Sequence, residues 1–331
     1  MRIAVDAMGS DNAPTSEVEG AILATRDTNI GVVLVGDKKL IEQELSKHRY
    51  EQKKIEVYPA SEIIQMNEPA AISVRKKKDS SINVMVRLAA NNMVDGIVSA
   101  GNTGAVVCSA TLGLRLLEGI ERPGIAVILP TLRGPCMLID AGANIDPKSV
   151  HLLQYGIMGN LYLKEILEIK NPKIGLLNVG EEECKGTMFL KDAYNLLEHS
   201  SLNFTGNVEG RDIFSGNYDC IICDGFVGNV VLKVSESLAE AIGILLRRHM
   251  RKGIITTLGA LLGRSAFDSL KKQMDYSEYG GAPLLGIDGC CIISHGMSSA
   301  KAMFNAIMVA KDYAHKNVNR HIVDAVKKIA V

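Results

Sequence analysis

Cys220-Ile221-Ile222-Cys223-Asp224-Gly225-Phe226-Val227-Gly228-Asn229 is the stretch whose reading decides the fold. Its first four residues are all apolar, the pattern of a strand buried on both faces of a sheet. Asp224 and Gly225 end the strand. Gly228 gives the backbone freedom at the turn, and Asn229 stands where a helix N-cap belongs, ahead of a helix beginning at Val230. Strand, glycine turn and helix start form the place where open α/β sheets hold their ligands. The exposed N–H groups of a helix start favour an anion there.

Working outward, the same unit recurs. Residues 3–5 read as a strand that ends at Asp6-Ala7-Met8-Gly9-Ser10-Asp11, with a helix after Pro14-Thr15. Residues 32–35 close at Gly36-Asp37 before a charged helix over 38–48. Residues 55–58, 96–100, 174–177, 204–208 and 290–293 give further strands. Alternating strand and helix predict right-handed crossovers and a mostly parallel sheet in a three-layer αβα fold. Residues 124–129 and 137–139 flank Thr131-Leu132-Arg133-Gly134 and read as an antiparallel hairpin. A long helix is expected from Asp146-Pro147, with Pro147 at its first position. The expected organisation is one two-lobed domain over 1–331, with Asn171-Pro172-Lys173 as the boundary between lobes and a protruding helical hairpin over about 230–275.

Composition narrows the function. The 331 residues are 47% hydrophobic, ample for a large core, and the formal net charge of zero supplies no bulk field for nucleic acid. Aromatics make up 5% with no Trp, so base-stacking platforms are not expected. Seven cysteines is an odd number, and most lie inside apolar runs, as reduced core thiols of a cytoplasmic protein do. Cys220 and Cys223 form a CxxC without the companion ligands a zinc site needs, so no metal and no cofactor are expected. The first strand begins at once, with no signal-peptide pattern, and no apolar run reaches spanning length.

Several loops at strand ends carry chemistry-bearing residues. Ser99, Gly101, Asn102, Thr103 and Gly104 form a small-residue loop at a helix start, either an anion or carbonyl-oxygen site or a tight turn that needs glycine for packing. Arg75 opens the run RKKKDSS, which reads as a solvated helix face or as a cationic wall for phosphate, with Ser80 or Ser81 capping the next helix. Lys185 follows three acids after a strand; it either belongs to an exposed acidic helix start or reaches into the crevice. His295 ends the strand at 290–293, where it is structural or chemical in equal measure. The uncharged loop Tyr279-Gly280-Gly281-Ala282-Pro283-Leu284-Leu285-Gly286 suits an apolar tunnel. In the hairpin, Leu258, Leu261 and Leu262 are flanked by Arg247, Arg248, Arg251 and Lys252, the signature of a segment lying on an anionic membrane surface or of a hairpin buried between two copies.

Taken in order, Asp6-Ala7-Met8-Gly9, Lys77-Lys78-Asp79-Ser80-Ser81, Ser99-Ala100-Gly101-Asn102-Thr103-Gly104, Gly180-Glu181-Glu182-Glu183, Asn207-Val208-Glu209-Gly210-Arg211-Asp212, the Cys223 to Asn229 run, the Tyr279 loop and Ser294-His295-Gly296 resemble the PlsX-type phosphate acyltransferases over almost the whole chain. Ser10 and Asn12 depart from the Gly and His usual in that family. The resemblance implies a fold similar to isocitrate and isopropylmalate dehydrogenases and to phosphotransacetylase, in a homodimer. It implies reversible transfer of a long acyl chain from acyl carrier protein to inorganic phosphate, with the acyl phosphate passed to a membrane acyltransferase. The protein would be cytoplasmic and peripheral to the membrane.

On that reading a phosphate oxygen attacks the thioester, and the site must hold two reactants and stabilise an oxyanion. Lys185 and Arg75 are expected to hold the phosphate charge. Asn229 and the 101–104 loop would donate hydrogen bonds, His295 would protonate the departing sulfur, and Asp224 would shape the loop. Cys184, beside Lys185, offers an acyl-enzyme route that a direct reaction does not need. All these loops are expected along a single rim of the sheet. Two other classes use the same features: a metal-dependent nicotinamide dehydrogenase of the same fold, and a non-enzymatic membrane-surface scaffold.

Overall fold

Short apolar runs become strands here because successive side chains enter opposite layers. Ile3 and Val5 belong to one buried cluster and Ala4 to the other; Ile222 and Ile221 divide in the same way. The computed structural model describes residues 1–26, 28–250, 252–253, 256–257, 259, 262–265 and 280–329. Its strands are β1 (Arg2–Asp6), β2 (Gly31–Gly36), β3 (Ile55–Pro59), β4 (Gly96–Ser99), β5 (Gly124–Thr131), β6 (Gly134–Ile139), β7 (Ile174–Leu177), β8 (Phe204–Val208), β9 (Cys220–Ile222), β10 (Ala282–Leu285) and β11 (Cys291–Ile293). They form one sheet in the order β3-β2-β1-β4-β11-β10-β5-β6-β9-β7-β8.

Helices cover both faces. On one side lie α1 (Thr15–Arg26), α2 (Lys38–Leu45), α6 (Ser149–Glu165), α7 (Met188–Glu198), α9 (Ala300–His315) and α10 (Val318–Ile329). On the other lie α3 (Ala70–Lys76), α4 (Ser81–Ala90), α5 (Thr103–Leu114) and the first turns of α8 (Gly225–Met250). This is the three-layer αβα arrangement. Ser80 caps α4 through its Oγ, which accepts the Asn83 N–H.

The sheet consists of two parallel sets. Strands β3, β2, β1, β4 and β11 run one way; β6, β9, β7 and β8 run together. Between them come three antiparallel pairings in succession, β11 with β10, β10 with β5, and β5 with β6. Three reversals leave the two sets pointing in opposite directions. Strand β10 is staggered: Ala282 and Pro283 pair with β11, while Leu284 and Leu285 pair with β5. The carboxyl ends of the two sets therefore approach each other from opposite sides. The single rim expected from the sequence is replaced by two facing rims with a crevice between them. The loop read as an apolar tunnel is in fact this linking strand; its Tyr279 lies outside the described residues.

Two helix starts also differ from expectation. Helix α6 begins at Ser149, not at Pro147, and its Lys148 N–H donates to His151 Nδ1 at 2.9 Å. Helix α8 begins at Gly225, because Asp224 takes the capping role and its Oδ1 accepts the Val227 N–H at 2.9 Å. Asn229 is therefore inside the helix, in its second turn, and not its N-cap. Beyond the first turns, α8 leaves the core: Val230, Val234, Leu238, Ile242 and Leu245 are all exposed. The return arm of the expected hairpin falls largely outside the described residues.

Candidate active site

The start of α8 is held by backbone contact. Asp140, at the end of β6, is fully buried, and its carboxylate accepts the N–H groups of Ile125, Gly142, Ala143 and Asn144 at 2.7 to 3.1 Å. Burial pushes its carboxyl up, and these four donors offset only part of that rise. Asn144 Nδ2 donates to Tyr155 Oη at 2.8 Å, which ties the loop to α6. Gly142 then lies against Asn229, with 3.5 Å between a β-carbon placed on Gly142 and Asn229 Cβ. The loop after β6 thus sets where the Asn229 amide stands.

From the facing set, the ends of β1, β4 and β11 pack together through glycine. A β-carbon on Gly9 would fall 2.6 Å from the Gly101 nitrogen, so only glycine lets these two loops touch. The Asp11 N–H donates to Gly296 O at 2.9 Å, which joins the first loop to the one carrying His295. Asp6 is buried beneath them and accepts from Met8 N–H and Ser99 Oγ at 3.1 and 2.7 Å. Burial raises its carboxyl, and Ser81, Ser99 and the Met8 N–H offset part of the rise.

A cavity of about 330 Å³ lies between the two sets. Asn229 reaches it from α8, His295 from the β11 loop, and Gly101 and Thr103 from the start of α5. Ile125, Val127, Ile128 and Leu232 give it an apolar wall. The Thr103 and Gly104 N–H groups belong to the first turn of α5, which has no earlier carbonyl within the helix to bond. His295 Nδ1 accepts the Met297 N–H at 3.2 Å, so a neutral ring carries its proton on Nε2. The cavity offers hydrogen-bond donors on one side and hydrocarbon on the other. That combination suits an anion meeting an apolar chain.

The expected residues separate into three groups. Asn229, His295, Gly101 and Thr103 line the cavity together. Ser99 and Asn102 support it from below. Ser99 Oγ donates to Asp6 and accepts the Gly101 N–H at 3.0 Å. Asn102 Oδ1 accepts the Ala105 N–H at 3.0 Å and caps α5, while its Nδ2 stands 3.1 Å from the carbonyl oxygens of Gln65, Met66 and Glu68. With both ends engaged, its side chain positions Met66, a wall of the cavity. Asp224 caps α8 and does not line the cavity.

Arg75 and Lys185 do not line the cavity. Arg75 is exposed in the last turn of α3. The basic residue of that run that turns inward is Lys77, whose Nζ donates to Ile63 O and Glu68 Oε1 at 2.6 and 2.5 Å. That bond and the Ser73 hydroxyl hold the Glu68 carboxyl down at about 2. The exposed Lys185 has its stem folded across Gly180, and its carbonyl accepts from Asn178 Nδ2. Cys184 and the three acids before it line a separate depression with Tyr194 and Tyr218. Arg247 and Arg248 sit in the last turn of α8, and Lys252 and Leu262 are exposed beyond it. Arg251, Leu258 and Leu261 lie outside the described residues.

Sequence reasoning missed Lys233, Glu236 and Asp11, all of which line the cavity. The spacing of 229, 233 and 236, one and two turns apart, was the available signal. The thiols of Cys220 and Cys223 are buried and pushed well up by burial, as inert core groups are. Among the described residues no group of three or more His, Cys, Asp or Glu is placed to hold a metal ion, and no helix is long and apolar enough to cross a membrane.

Residues 1–321 match the family described as "Fatty acid synthesis protein". The chain is 49% identical over 328 residues to the phosphate acyltransferase of Geotalea daltonii, spanning 99% of this chain and 95% of that protein. It is 47% identical over 331 residues to the phosphate acyltransferase of Dictyoglomus turgidum, with 99% and 98% covered. In fold it is similar to a phosphotransacetylase from Streptococcus pyogenes, with a TM-score of 0.62 at 18% identity over 95% of this chain and 94% of that one. It is also similar to a 4-hydroxythreonine-4-phosphate dehydrogenase from Klebsiella pneumoniae, with a TM-score of 0.54 at 14% identity over 95% and 99%. At such identities these two speak for the fold alone.

Proposed function

The chain belongs to the fatty acid synthesis protein family and is a phosphate acyltransferase of lipid synthesis, and from that premise we propose that it moves a long acyl chain between acyl carrier protein and inorganic phosphate in the cavity between the two strand sets. Membership of this family removes the dehydrogenase and scaffold readings. The observation that carries the finer reading is the cavity itself, with Asn229, His295 and the start of α5 facing Ile125, Val127, Ile128 and Leu232.

In the proposed reaction an oxygen of hydrogen phosphate attacks the thioester carbonyl. A bond forms between that oxygen and the acyl carbon, and the bond from the acyl carbon to sulfur breaks. Asn229 Nδ2 and the first-turn N–H groups of α5 donate to the developing oxyanion or to the phosphate. The proton that hydrogen phosphate loses ends on the departing sulfur, and the His295 Nε2–H donates a hydrogen bond that stabilises that sulfur as it leaves, so the proton count closes. The products are an acyl phosphate and the free thiol. Carrier and phosphate must also be held together, so that the attack is in effect unimolecular.

The test incubates purified protein with inorganic phosphate and the palmitoyl thioester of either acyl carrier protein or coenzyme A. Acyl phosphate formed several times faster from the carrier thioester is the expected result. Equal or faster use of the coenzyme A thioester would remove the carrier from the proposal.

The same reading places the protein in the cytoplasm at the membrane surface, as a homodimer that delivers acyl phosphate to a membrane acyltransferase. The exposed row from Val230 to Leu245 on α8 supports burial against a second copy. Light scattering should give a dimer, and Leu238→Glu a monomer; a wild-type monomer would end this part. Arg247, Arg248 and Lys252 supply positive charge for the acidic carrier. Arg247→Glu with Arg248→Glu should raise KM for the carrier thioester and leave the coenzyme A thioester unchanged, while vesicle flotation separately reads any loss of lipid binding.

A further inference from the structure

Four titratable side chains line the cavity: Asp11, Lys233, Glu236 and His295. Lys233 is the lysine or arginine that the described residues bring to it. It lies one helical turn beyond Asn229 on the same face of α8, so an anion touching the Asn229 amide is within its reach. Its Nζ stands 2.9 Å from Glu236 Oε2. The two partners are not equally placed. The Glu236 side chain is 17% exposed, while that of Lys233 is 56% exposed, so its amine has open surface around it beyond the carboxylate.

We propose that Lys233 is the residue that binds the phosphate charge in this site, and that Glu236 positions its amine for that purpose. The proposal rests on reading this cavity as the acyl-transfer site. An ammonium carries three donors, and Glu236 uses one of them. The other two are left for phosphate oxygens, so the amine bridges the carboxylate and the anion without leaving either. Without such a cation, Asp11 and Glu236 would make the cavity repel a phosphate dianion. Lysine suits this position because it acts as a point charge on a flexible stem, whereas Arg75 and Lys185 are both outside the cavity.

Steady-state kinetics with varied phosphate at saturating carrier thioester test the assignment. Lys233→Gln should raise the phosphate KM about tenfold or more, with the thioester KM within about twofold of wild type. Lys233→Arg should restore most of the phosphate affinity. Glu236→Gln keeps an acceptor for the amine and should change the phosphate KM little, while Glu236→Ala should raise it without a matching loss of kcat. Lys233 is largely exposed, so melting curves should confirm that its variants fold. An unchanged phosphate KM in folded Lys233→Gln, or a rise confined to the thioester KM, overturns the proposal. If the wild-type protein forms no acyl phosphate from either thioester, the functional reading itself fails. Calorimetric titration of wild type and Lys233→Gln with inorganic phosphate still decides whether Lys233 holds the anion.

Discussion

The carbonyl oxygen of Asp140 lies 1.9 Å from the point where a β-carbon on Gly228 would stand. No side chain fits there, and the contact is with backbone that cannot swing aside. The Asp140 carboxylate is at the same time locked to three N–H groups of its own loop and to that of Ile125 on β5. Helix α8 therefore meets the end of β6 at one distance, and Asn229 inherits its place from that contact.

Gly228→Ala should then cost more than about 3 kcal/mol, beyond the usual range for overpacking, because the obstacle is a peptide group. Gly243→Ala is the control in the same helix, since nothing lies within 4 Å of its added carbon. There alanine should be neutral or stabilise by up to about 1 kcal/mol. Melting temperatures of the two variants check this; equal effects would mean that the close approach is not what holds the helix.

Asn229→Ala removes a donor that faces the cavity and is exposed to it. The fold should be unaffected, with a change within about 0.5 kcal/mol. Acyl phosphate formation should fall about 10²- to 10³-fold, the loss typical of one oxyanion donor. A folded variant with near wild-type turnover would remove Asn229 from the site.

How much of this was legible without coordinates depends on the range of the forces involved. The apolar run at 220–223 reads as a doubly buried strand and Ser80 or Ser81 as the cap of the next helix because both signals are local; the strand forms over 220–222 and Ser80 is the cap. The crevice between opposed strand sets was not legible. It depends on β10, four residues of uncharged loop-like sequence whose stagger only long-range pairing defines. Asn102 stands at a helix start, as the sequence predicts, but an amide reads the same there whether it faces substrate or the three carbonyls it meets. Lys233 was passed over because a lysine on a long helix ordinarily faces water, and only its register with Asn229 marks it out. For Lys185 the sequence shows a lysine beside a glycine but not a stem lying across Gly180.

Asn102→Asp keeps the acceptor that caps α5 and replaces the amide donor with an oxygen facing three carbonyls. Stability should drop by about 2 kcal/mol or more, as expected when buried acceptors lose their donor. Asn102→Ala also loses the cap, worth about 1 kcal/mol, but introduces no repulsion. The two should destabilise to a similar degree, and both should raise the thioester KM as Met66 loses its support. An Asp variant that melts like wild type would show that the three carbonyl contacts contribute nothing.

Glu17, in the first turn of α1, has no exposed surface, and among the described residues neither of its oxygens makes a hydrogen bond of normal geometry, the Ser10 hydroxyl beside it being close enough only for a weak interaction. Ser10 Oγ, buried beside it, is in the same position. Burial pushes this carboxyl up to about 7, the neighbouring Ser10 hydroxyl offsets only part of the rise, and the charge of Asp6 adds to it. A carboxyl raised on folding favours the native state while it is protonated. Its contribution is complete below the unfolded value near 4.5 and is lost as pH rises through about 7. Between pH 5 and pH 8 the loss from this one group is about 2 to 3 kcal/mol. Glu17→Gln cannot ionise, so whatever its amide costs in the same pocket is independent of pH. The variant should gain on wild type in melting temperature from pH 5 to pH 8. Parallel pH profiles for the two proteins would show that Glu17 is already ionised, or already partnered, at neutral pH.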